Sequence, residues 1–181
     1  ASARLSILSR IHQRPVSKNS IRILSWSKNV FPFSAFDVTL LIISSFDENL
    51  IFYGNNENEI CAYHYLDREI KFKLCRGHTN LVNNLVTLEK YNFGYIATGS
   101  DDTTIKIWNL RSRSLVNSFE GHNACIITLC HLVNYNRDNS LLASGSDDHT
   151  LRLWSLSDKN CVAIFYFLSW VKSMLFFKDQ K

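Results

Sequence analysis

One stretch of sequence that occurs twice decides the fold of this chain. Residues 99–110 read GSDDTTIKIWNL, and residues 145–156 read GSDDHTLRLWSL, 46 residues later. Each copy is preceded by a Gly-His pair, at Gly77-His78 and at Gly121-His122. A repeat of this length indicates an array of one supersecondary unit, in which each unit buries its apolar face against its neighbours.

Short β-rich segments follow one another from residue 37 onward, and turn clusters separate them. This pattern predicts an all-β array of four-stranded antiparallel units. The predicted strands are residues 38–45, 50–54, 59–65 and 70–75 in the first unit, 81–88, 95–100, 104–110 and 114–120 in the second, and 125–132, 141–146, 150–156 and 161–165 in the third. Two outlying segments predict parts of further units. Residues 20–26 predict the third strand of a preceding unit, and residues 170–177 predict the first strand of a following one.

The repeated motif resembles that of the WD40-repeat family of β-propellers. A Gly-His pair is followed by Ser-x-Asp-x-Thr-(x)3-Trp, with the tryptophan some 30 residues after the histidine, and this holds in two units. The residue after the tryptophan departs from the family's usual aspartate, since it is Asn109 or Ser155. The first unit is a degenerate copy, with Tyr63 at the tryptophan position.

The resemblance covers residues 37–177 and implies a WD40-type β-propeller, here an incomplete arc of about three full four-stranded blades with partial blades at both ends. The chain then divides into a basic segment at 1–36, a degenerate repeat at 37–78, repeats at 79–122 and 123–165, and the start of another at 166–181. The family most often closes with seven blades, and at ~40–45 residues per blade 181 residues hold at most four. We expect a fragment of a longer chain, with a compact four-bladed closure as the alternative.

The resemblance also implies one hydrogen-bonded network in each strong repeat. In such a network the tryptophan N–H, the serine hydroxyl, the histidine ring and the aspartate carboxylate bond one another. The expected members are His78, Ser100, Asp102 and Trp108 in one repeat and His122, Ser146, Asp148 and Trp154 in the other.

Serine, histidine and aspartate together also suggest a catalytic triad. A triad needs an exposed serine beside an oxyanion hole. Here the set occurs twice at equivalent places in a repeat and includes a tryptophan, so we expect a structural role and no catalytic residue. Thr104, Thr150, Lys106 and Arg152 are expected at solvated or inter-blade positions. Cys75-Arg76-Gly77-His78 and 122–125 resemble short metal motifs, but no second ligand pair with zinc spacing follows either one, and we expect no metal or cofactor.

Charge is distributed unevenly along the chain. Residues 1–36 contain six basic residues, no acidic residue and eight serines, whereas the remaining 145 contain 14 basic and 16 acidic residues. The repeats therefore lack the basic footprint of a nucleic-acid-binding surface, and RNA contact is expected only through the N-terminal segment. That segment is either a linker followed by a strand or a mitochondrial transit peptide.

The remaining features of the composition limit the cellular compartments in which we expect the protein. No run reaches the ~18–20 apolar residues of a membrane span. The five cysteines show no disulfide spacing, which is typical of a reducing compartment. We expect a cytoplasmic or nuclear protein, or a mitochondrial one if residues 1–36 are a transit peptide.

These observations predict a non-catalytic scaffold or substrate-receptor module that binds other proteins of a complex and no small-molecule substrate. Loops on a rigid frame are where binding usually resides. Two alternatives remain open: the targeting domain of a larger enzyme such as a ubiquitin ligase or kinase, and a ribonucleoprotein-assembly factor. The candidate partner-binding residues are Arg76, Thr79, Asn80, Asp101, Glu120, Asn123, Asp147 and His149.

Overall fold

The structure is a computed structural model that describes residues 42–43, 49–64, 66–88, 94–132 and 140–174. Within these ranges it contains twelve β-strands and no helix. The strands are β1 (Ile42–Ile43), β2 (Leu50–Gly54), β3 (Ile60–His64), β4 (Glu69–Leu74), β5 (Val82–Thr87), β6 (Tyr95–Ser100), β7 (Ile105–Asn109), β8 (Ser114–Phe119), β9 (Ile126–Leu132), β10 (Leu141–Ser146), β11 (Thr150–Ser155) and β12 (Asn160–Tyr166).

The strands form three antiparallel sheets of four, each built from consecutive strands. Sheet 1 contains β1–β4, sheet 2 contains β5–β8 and sheet 3 contains β9–β12. Within each sheet, every strand pairs with the next one along the chain, as expected for antiparallel strands joined by turns. The predicted all-β class and its four-stranded antiparallel units are therefore confirmed.

The sheets repeat one another in detail. In the turn between the second and third strands, Asn58, Thr103 and His149 occupy equivalent positions and all have positive φ. In each sheet the pairing of the third and fourth strands shifts immediately before an aromatic residue, which is Tyr63, Trp108 or Trp154. Such a bulge places two residues of one strand opposite one of its partner. The degenerate first unit thus keeps the backbone geometry of the other two.

Consecutive sheets pack face to face through two apolar cores. The first core joins sheet 1 to sheet 2 and includes Phe52, Leu74 and Trp108. The second joins sheet 2 to sheet 3, where Phe119 contacts Trp154 with ring centroids 5.3 Å apart. Burying each large side chain contributes about 1.5–3 kcal/mol, so the interfaces between sheets stabilise the array.

A glycine at the end of the second strand lets the next segment of chain approach closely. A Cβ atom on Gly99 would lie 2.6 Å from Ile126 Cγ2, and one on Gly145 would lie 2.5 Å from Val171 Cγ1. Val171 therefore rests on sheet 3 in the way that Ile126, the first residue of β9, rests on sheet 2.

The strand predicted at 170–177 is not formed over residues 170–174, and the rest of it lies outside the described residues. A strand needs a hydrogen-bonded ladder with a partner, and the backbone bond formed here is that from Val171 N to Ser146 O, at 3.2 Å. The strand predicted at 20–26 lies outside the described residues. The same holds for the strand predicted at 38–45, apart from residues 42–43.

Candidate functional site: paired polar networks and a loop edge

Four buried side chains form a hydrogen-bonded chain in sheet 2. Trp108 Nε1 donates to Thr98 Oγ1 at 2.9 Å. The Thr98 hydroxyl lies 2.7 Å from His78 Nε2, and His78 Nδ1 lies 2.8 Å from Asp102 Oδ2. Thr98 and Trp108 come from paired strands β6 and β7, whereas His78 precedes β5 and Asp102 lies in the β6–β7 turn. This hydrogen-bonded chain therefore ties the entry loop of the sheet to the β6–β7 turn at the same end of the sheet.

Sheet 3 contains the same arrangement. Trp154 Nε1 donates to Ser144 Oγ at 2.7 Å, Ser144 Oγ lies 2.7 Å from His122 Nε2, and His122 Nδ1 lies 2.7 Å from Asp148 Oδ2. The hydroxyl is supplied by serine here and by threonine in sheet 2, so the position requires a hydroxyl and tolerates either side chain.

The chemistry of the end members sets the direction of the hydrogen bonds. An indole N–H can only donate, and a carboxylate can only accept. The Ser144 hydroxyl, which accepts from Trp154, is thus available to donate to His122 Nε2, and His122 Nδ1–H donates to Asp148. This assigns a neutral histidine. Burial lowers the pKa of His122 below its ordinary value and outweighs the opposing effect of Asp148, which favours the same neutral form.

Each aspartate of the networks accepts four hydrogen bonds. Asp102 Oδ2 accepts from His78 and from the Thr79 amide at 3.0 Å, while Oδ1 accepts from the Thr104 amide at 3.0 Å and the Thr104 hydroxyl at 2.7 Å. Burial acts to raise the pKa of Asp102, but these hydrogen bonds outweigh it and hold the pKa well below its usual range. Asp148 has the same set of bonds, and its pKa is lowered in the same way.

The structure places Ser100 and Ser146 outside the position expected for them. The Ser100 hydroxyl donates to Asn80 O at 3.1 Å and accepts from the Asp102 amide at 3.0 Å, so it closes the turn and does not lie between tryptophan and histidine. Ser146 has the same role, with Ala124 O as its acceptor. Alternate residues of a strand share a face, so Thr98 and Ser100 both face the network, but Thr98 is the one nearer the tryptophan.

Other contributors were missed or misplaced by the sequence reasoning. Thr98 and Ser144 are hydroxyl residues ten positions before each tryptophan, a signal that was present in the sequence. Thr104, expected at a solvated or inter-blade position, belongs to the network through Asp102, and so does Thr150 through Asp148. Asn83 was also missed, and it joins sheets 2 and 3 by donating to Asp101 and, at 3.1 Å, to Ile126 O.

Sheet 1 fills the equivalent space differently. Tyr53 stands where sheet 2 has Thr98, and Tyr63 stands where it has Trp108. Both tyrosines are buried, and burial together with the neighbouring Cys61 raises the pKa of the Tyr53 phenol. The Asp102 position is occupied by the exposed Glu57. Sheet 1 thus replaces the polar chain with larger aromatic rings.

The geometry of the two networks suits a structural role. The hydroxyls bonded to the histidines belong to Thr98 and Ser144, both with 0% exposure. A nucleophile must meet its substrate, and these hydroxyls are already bonded to histidine and indole. Among the described residues, no group of three histidine, cysteine, aspartate or glutamate side chains could hold a metal ion. An apolar groove of about 240 Å³ lies elsewhere, lined by Cys130, Leu132, Ala143, Leu151, Leu153 and Met174.

The networks position a set of loops that we call the loop edge, defined as residues 75–81, 101–104, 120–125 and 147–149. Hydrogen bonds from Asn83 to Asp101 and Ile126 bring the loops of sheets 2 and 3 to the same side. Of the candidate binding residues, six are exposed and two, Asp101 and Asp147, are half-buried. The exposed ones are Arg76, Thr79, Asn80, Glu120, Asn123 and His149.

Sheets of four antiparallel strands, packed in series and joined internally in sheets 2 and 3 by a network of histidine, aspartate and tryptophan, define a repeat protein of the propeller class. The family model for the WD domain, G-beta repeat, matches residues 69–109 and 113–155. Residues 69–155 thus contain two repeats of the WD40 family, as the sequence predicted. This family is generally non-catalytic.

Solved structures share this fold. "Structure of U3-55K" matches with a TM-score of 0.63 and 19% identity over 74% of this chain and 41% of that one. "Crystal structure of RRP9 WD40 repeats" matches with a TM-score of 0.62 and 19% identity over 74% and 40%. The WD40 β-propeller domain of Doa1 matches with a TM-score of 0.61 and 19% identity over 72% and 41%. The chain thus spans about two fifths of the length of these structures.

No membrane-crossing helix, which would have to be long and apolar, occurs in the part of the chain that the structure describes. None of the five cysteines, all of which are described, forms a disulfide.

Proposed function

We propose that the chain is a non-catalytic interaction module that presents its loop edge to other proteins of a complex. The observation that carries this proposal is the contrast between the two parts of each repeat. The histidine and aspartate of each network are bonded internally and buried, whereas the loops they hold expose side chains such as Arg76 and Asn123. Loops fixed to a rigid frame are suited to binding because little further ordering is needed when a partner docks.

The charge of the loop edge favours a protein partner over a nucleic acid. Apart from the two network aspartates, the loop edge contains three acidic residues and one basic residue, so its net charge is negative. The acidic residues are Asp101, Asp147 and Glu120, and the basic one is Arg76. Phosphate backbones bind to clustered lysine and arginine. The loop edge therefore suits a protein segment that is neutral or basic. We place such a complex in the cytoplasm or the nucleus.

Charge substitution at the loop edge tests this proposal. The test variant changes three exposed residues to arginine, at positions where the backbone φ is negative. It combines Thr79→Arg, Glu120→Arg and Asn123→Arg. The matched control makes the same change in net charge at the opposite ends of the sheets, in the turns that precede the fourth strands and at the start of β4. It combines Glu69→Arg, Ser112→Arg and Ser157→Arg, all at exposed positions.

Affinity capture with the tagged chain gives the readout, with partner proteins quantified against the unsubstituted chain. The test variant should lose most of the captured partners, and the control should retain them, because only the test variant changes the loop edge. Equal capture by both variants, or an equal loss from both, would rule out the loop edge as the binding surface. Thermal unfolding of each variant establishes that the fold is kept.

A second candidate, RNA contact through residues 1–36, is favoured by one observation. That segment contains six basic residues and no acidic one. If it contacts RNA phosphates, the binding constant should fall steeply with salt, and removal of residues 1–36 should abolish the salt-dependent part. Binding that persists without the segment, or that ignores salt, would contradict this candidate.

A further inference from the structure

The turn before the fourth strand has the same backbone structure in all three sheets. The three residues that precede the fourth strand are 66–68 in sheet 1, 111–113 in sheet 2 and 157–159 in sheet 3. The last residue of each turn has positive φ, and these residues are Arg68, Arg113 and Lys159. The middle residue donates its backbone N–H to the side chain three positions earlier, at 3.2, 3.0 and 3.1 Å respectively. Because the turns share this geometry, side chains at the same position can be compared directly.

The middle position of this turn is acidic in sheets 1 and 3 and is a serine in sheet 2. Asp67 of sheet 1 pairs with Lys71 Nζ at 2.5 Å. Asp158 of sheet 3 accepts a hydrogen bond from the Ser155 hydroxyl at 2.7 Å. Ser112 occupies the same position in sheet 2. The backbone of this turn therefore accommodates a negative charge at the position of Ser112.

The sequence around Ser112 is basic. Residues 111–114 read Arg-Ser-Arg-Ser, so an arginine lies on each side of Ser112 and no acidic residue is present. All four residues are exposed. The turn of sheet 2 thus combines an accessible hydroxyl with two cationic neighbours, and it lacks the carboxylate that the other two sheets have at this position.

We propose that Ser112 is a phosphorylation site, modified by a protein kinase that recognises arginine beside the acceptor serine. The Ser112 hydroxyl oxygen attacks the γ-phosphorus of ATP and forms a new O–P bond. The bond from the γ-phosphorus to the bridging oxygen breaks, ADP leaves, and the hydroxyl proton passes to the base of the kinase. Kinases select substrates by their charge pattern, and guanidinium groups bind the carboxylates of an acidic groove through paired hydrogen bonds.

The position of Ser112 favours it over Ser114 as the acceptor. Ser114 is the first residue of β8 and pairs with Asn109 of β7, whereas Ser112 lies in the turn, outside the strand ladder. Exposed turns open locally at a lower cost than paired strands, and a kinase must reach the backbone around its acceptor. Sheet 3 supports the same choice, because it has an acid at the position of Ser112 and the neutral Asn160 at the position of Ser114.

A phosphate on Ser112 supplies the negative charge that this turn lacks. Phosphoserine carries about −1.5 to −2 charges at pH 7 and has three strong acceptor oxygens. Arg111 and Arg113 flank it, and the Ser114 hydroxyl, whose oxygen lies 2.7 Å from that of Ser112, is a further donor. Phosphorylation should therefore stabilise sheet 2. The site lies at the end of the sheet opposite the loop edge, so it does not depend on the function proposed for that edge.

Phosphorylation of the whole chain by a purified arginine-directed serine kinase with Mg²⁺ and ATP tests the site. Peptide mass spectrometry locates the phosphate. Ser157 is the matched control, because it is an exposed serine in the equivalent turn of sheet 3 and lies between Leu156 and Asp158. Ser112 should be modified at least about tenfold faster than Ser157, which is the selectivity that one charge-assisted hydrogen bond supplies. An unmodified Ser112, phosphate on Ser114 without Ser112, or equal rates at Ser112 and Ser157 would overturn the proposal.

Ser112→Asp tests the effect of the negative charge without a kinase. In urea unfolding it should raise the folding equilibrium constant by about two- to fivefold, as a favourable exposed ion pair does. The increase should disappear in a chain that also carries Arg111→Gln and Arg113→Gln. The control Ser157→Asp places a second acid beside Asp158 and should give no increase. A destabilising Ser112→Asp, or an increase that persists without the two arginines, would contradict the stabilising role of the phosphate.

Discussion

Replacing Thr98 by valine removes one hydroxyl from the centre of the sheet 2 network and keeps the shape of the side chain. Thr98 is fully buried, and its Oγ1 accepts from Trp108 Nε1 and bonds His78 Nε2. The substitution leaves the indole N–H and the imidazole nitrogen buried without a partner. We expect it to lower the free energy of unfolding more than any other single hydroxyl removal in sheet 2.

The magnitude follows from the two groups that lose their partners. Each buried polar group left unsatisfied costs about 1–3 kcal/mol, so Thr98→Val should cost about 2–6 kcal/mol. Ser100→Ala removes bonds to Asn80 O and the Asp102 amide in the turn, and should cost about 0.5–1.5 kcal/mol. Thr98→Ser keeps the hydroxyl, as Ser144 does in sheet 3, and should cost no more than about 1 kcal/mol for the lost methyl group.

Urea unfolding followed by circular dichroism measures all three variants under the same conditions. The reasoning would be refuted if Ser100→Ala cost as much as Thr98→Val, since the network would then run through Ser100. It would also be refuted if Thr98→Ser cost as much as Thr98→Val, since the loss would then come from packing. A double-mutant cycle that combines Thr98→Val with Trp108→Phe adds a further check. Both substitutions remove the same hydrogen bond, so their costs in free energy of unfolding should be less than additive.

Three further predictions concern acid, a strained turn and a close contact. The free energy of unfolding should fall below about pH 6.5, because the unfolded chain then binds a proton at His122 while burial keeps this histidine neutral in the folded chain. It should fall again below about pH 4, because the network aspartates have lowered pKa values in the folded chain and are protonated first in the unfolded chain. Urea titrations at several pH values check this, and a flat profile from neutral to acid pH would contradict it. Thr103 has φ 69°, which is unfavourable for a β-branched residue, so Thr103→Asn should raise stability by about 1 kcal/mol in thermal unfolding, and the reverse change Asn58→Thr should lower it. Gly99→Ala should cost about 1–3 kcal/mol because the new methyl group meets Ile126, and a loss that Ile126→Ala does not relieve would place its cause elsewhere.

The paired networks show how far sequence reasoning reaches for the site. The sequence identifies the histidine, aspartate and tryptophan of each network because they recur at fixed spacing. The hydroxyl partner predicted at Ser100 and Ser146 lies two residues earlier on the strand, at Thr98 and Ser144. Residues two apart on a strand share a face, so side-chain alternation does not distinguish Thr98 from Ser100. The position of the Trp108 indole decides between them, because its N–H reaches the Thr98 hydroxyl.

The sequence by itself determined the repeat, the order of the strands and the family, because turns and strand periodicity are local and because the motif occurs twice in register. It also indicated that the first unit is degenerate, since Tyr63 stands at the tryptophan position. The tertiary structure decided what depends on contacts between distant residues. Phe119 and Phe165 occupy equivalent places in β8 and β12, yet Phe119 is 3% exposed and Phe165 48%. The difference arises because sheet 3 covers Phe119 through Trp154, and burial belongs to the packing of sheets and not to the residue type.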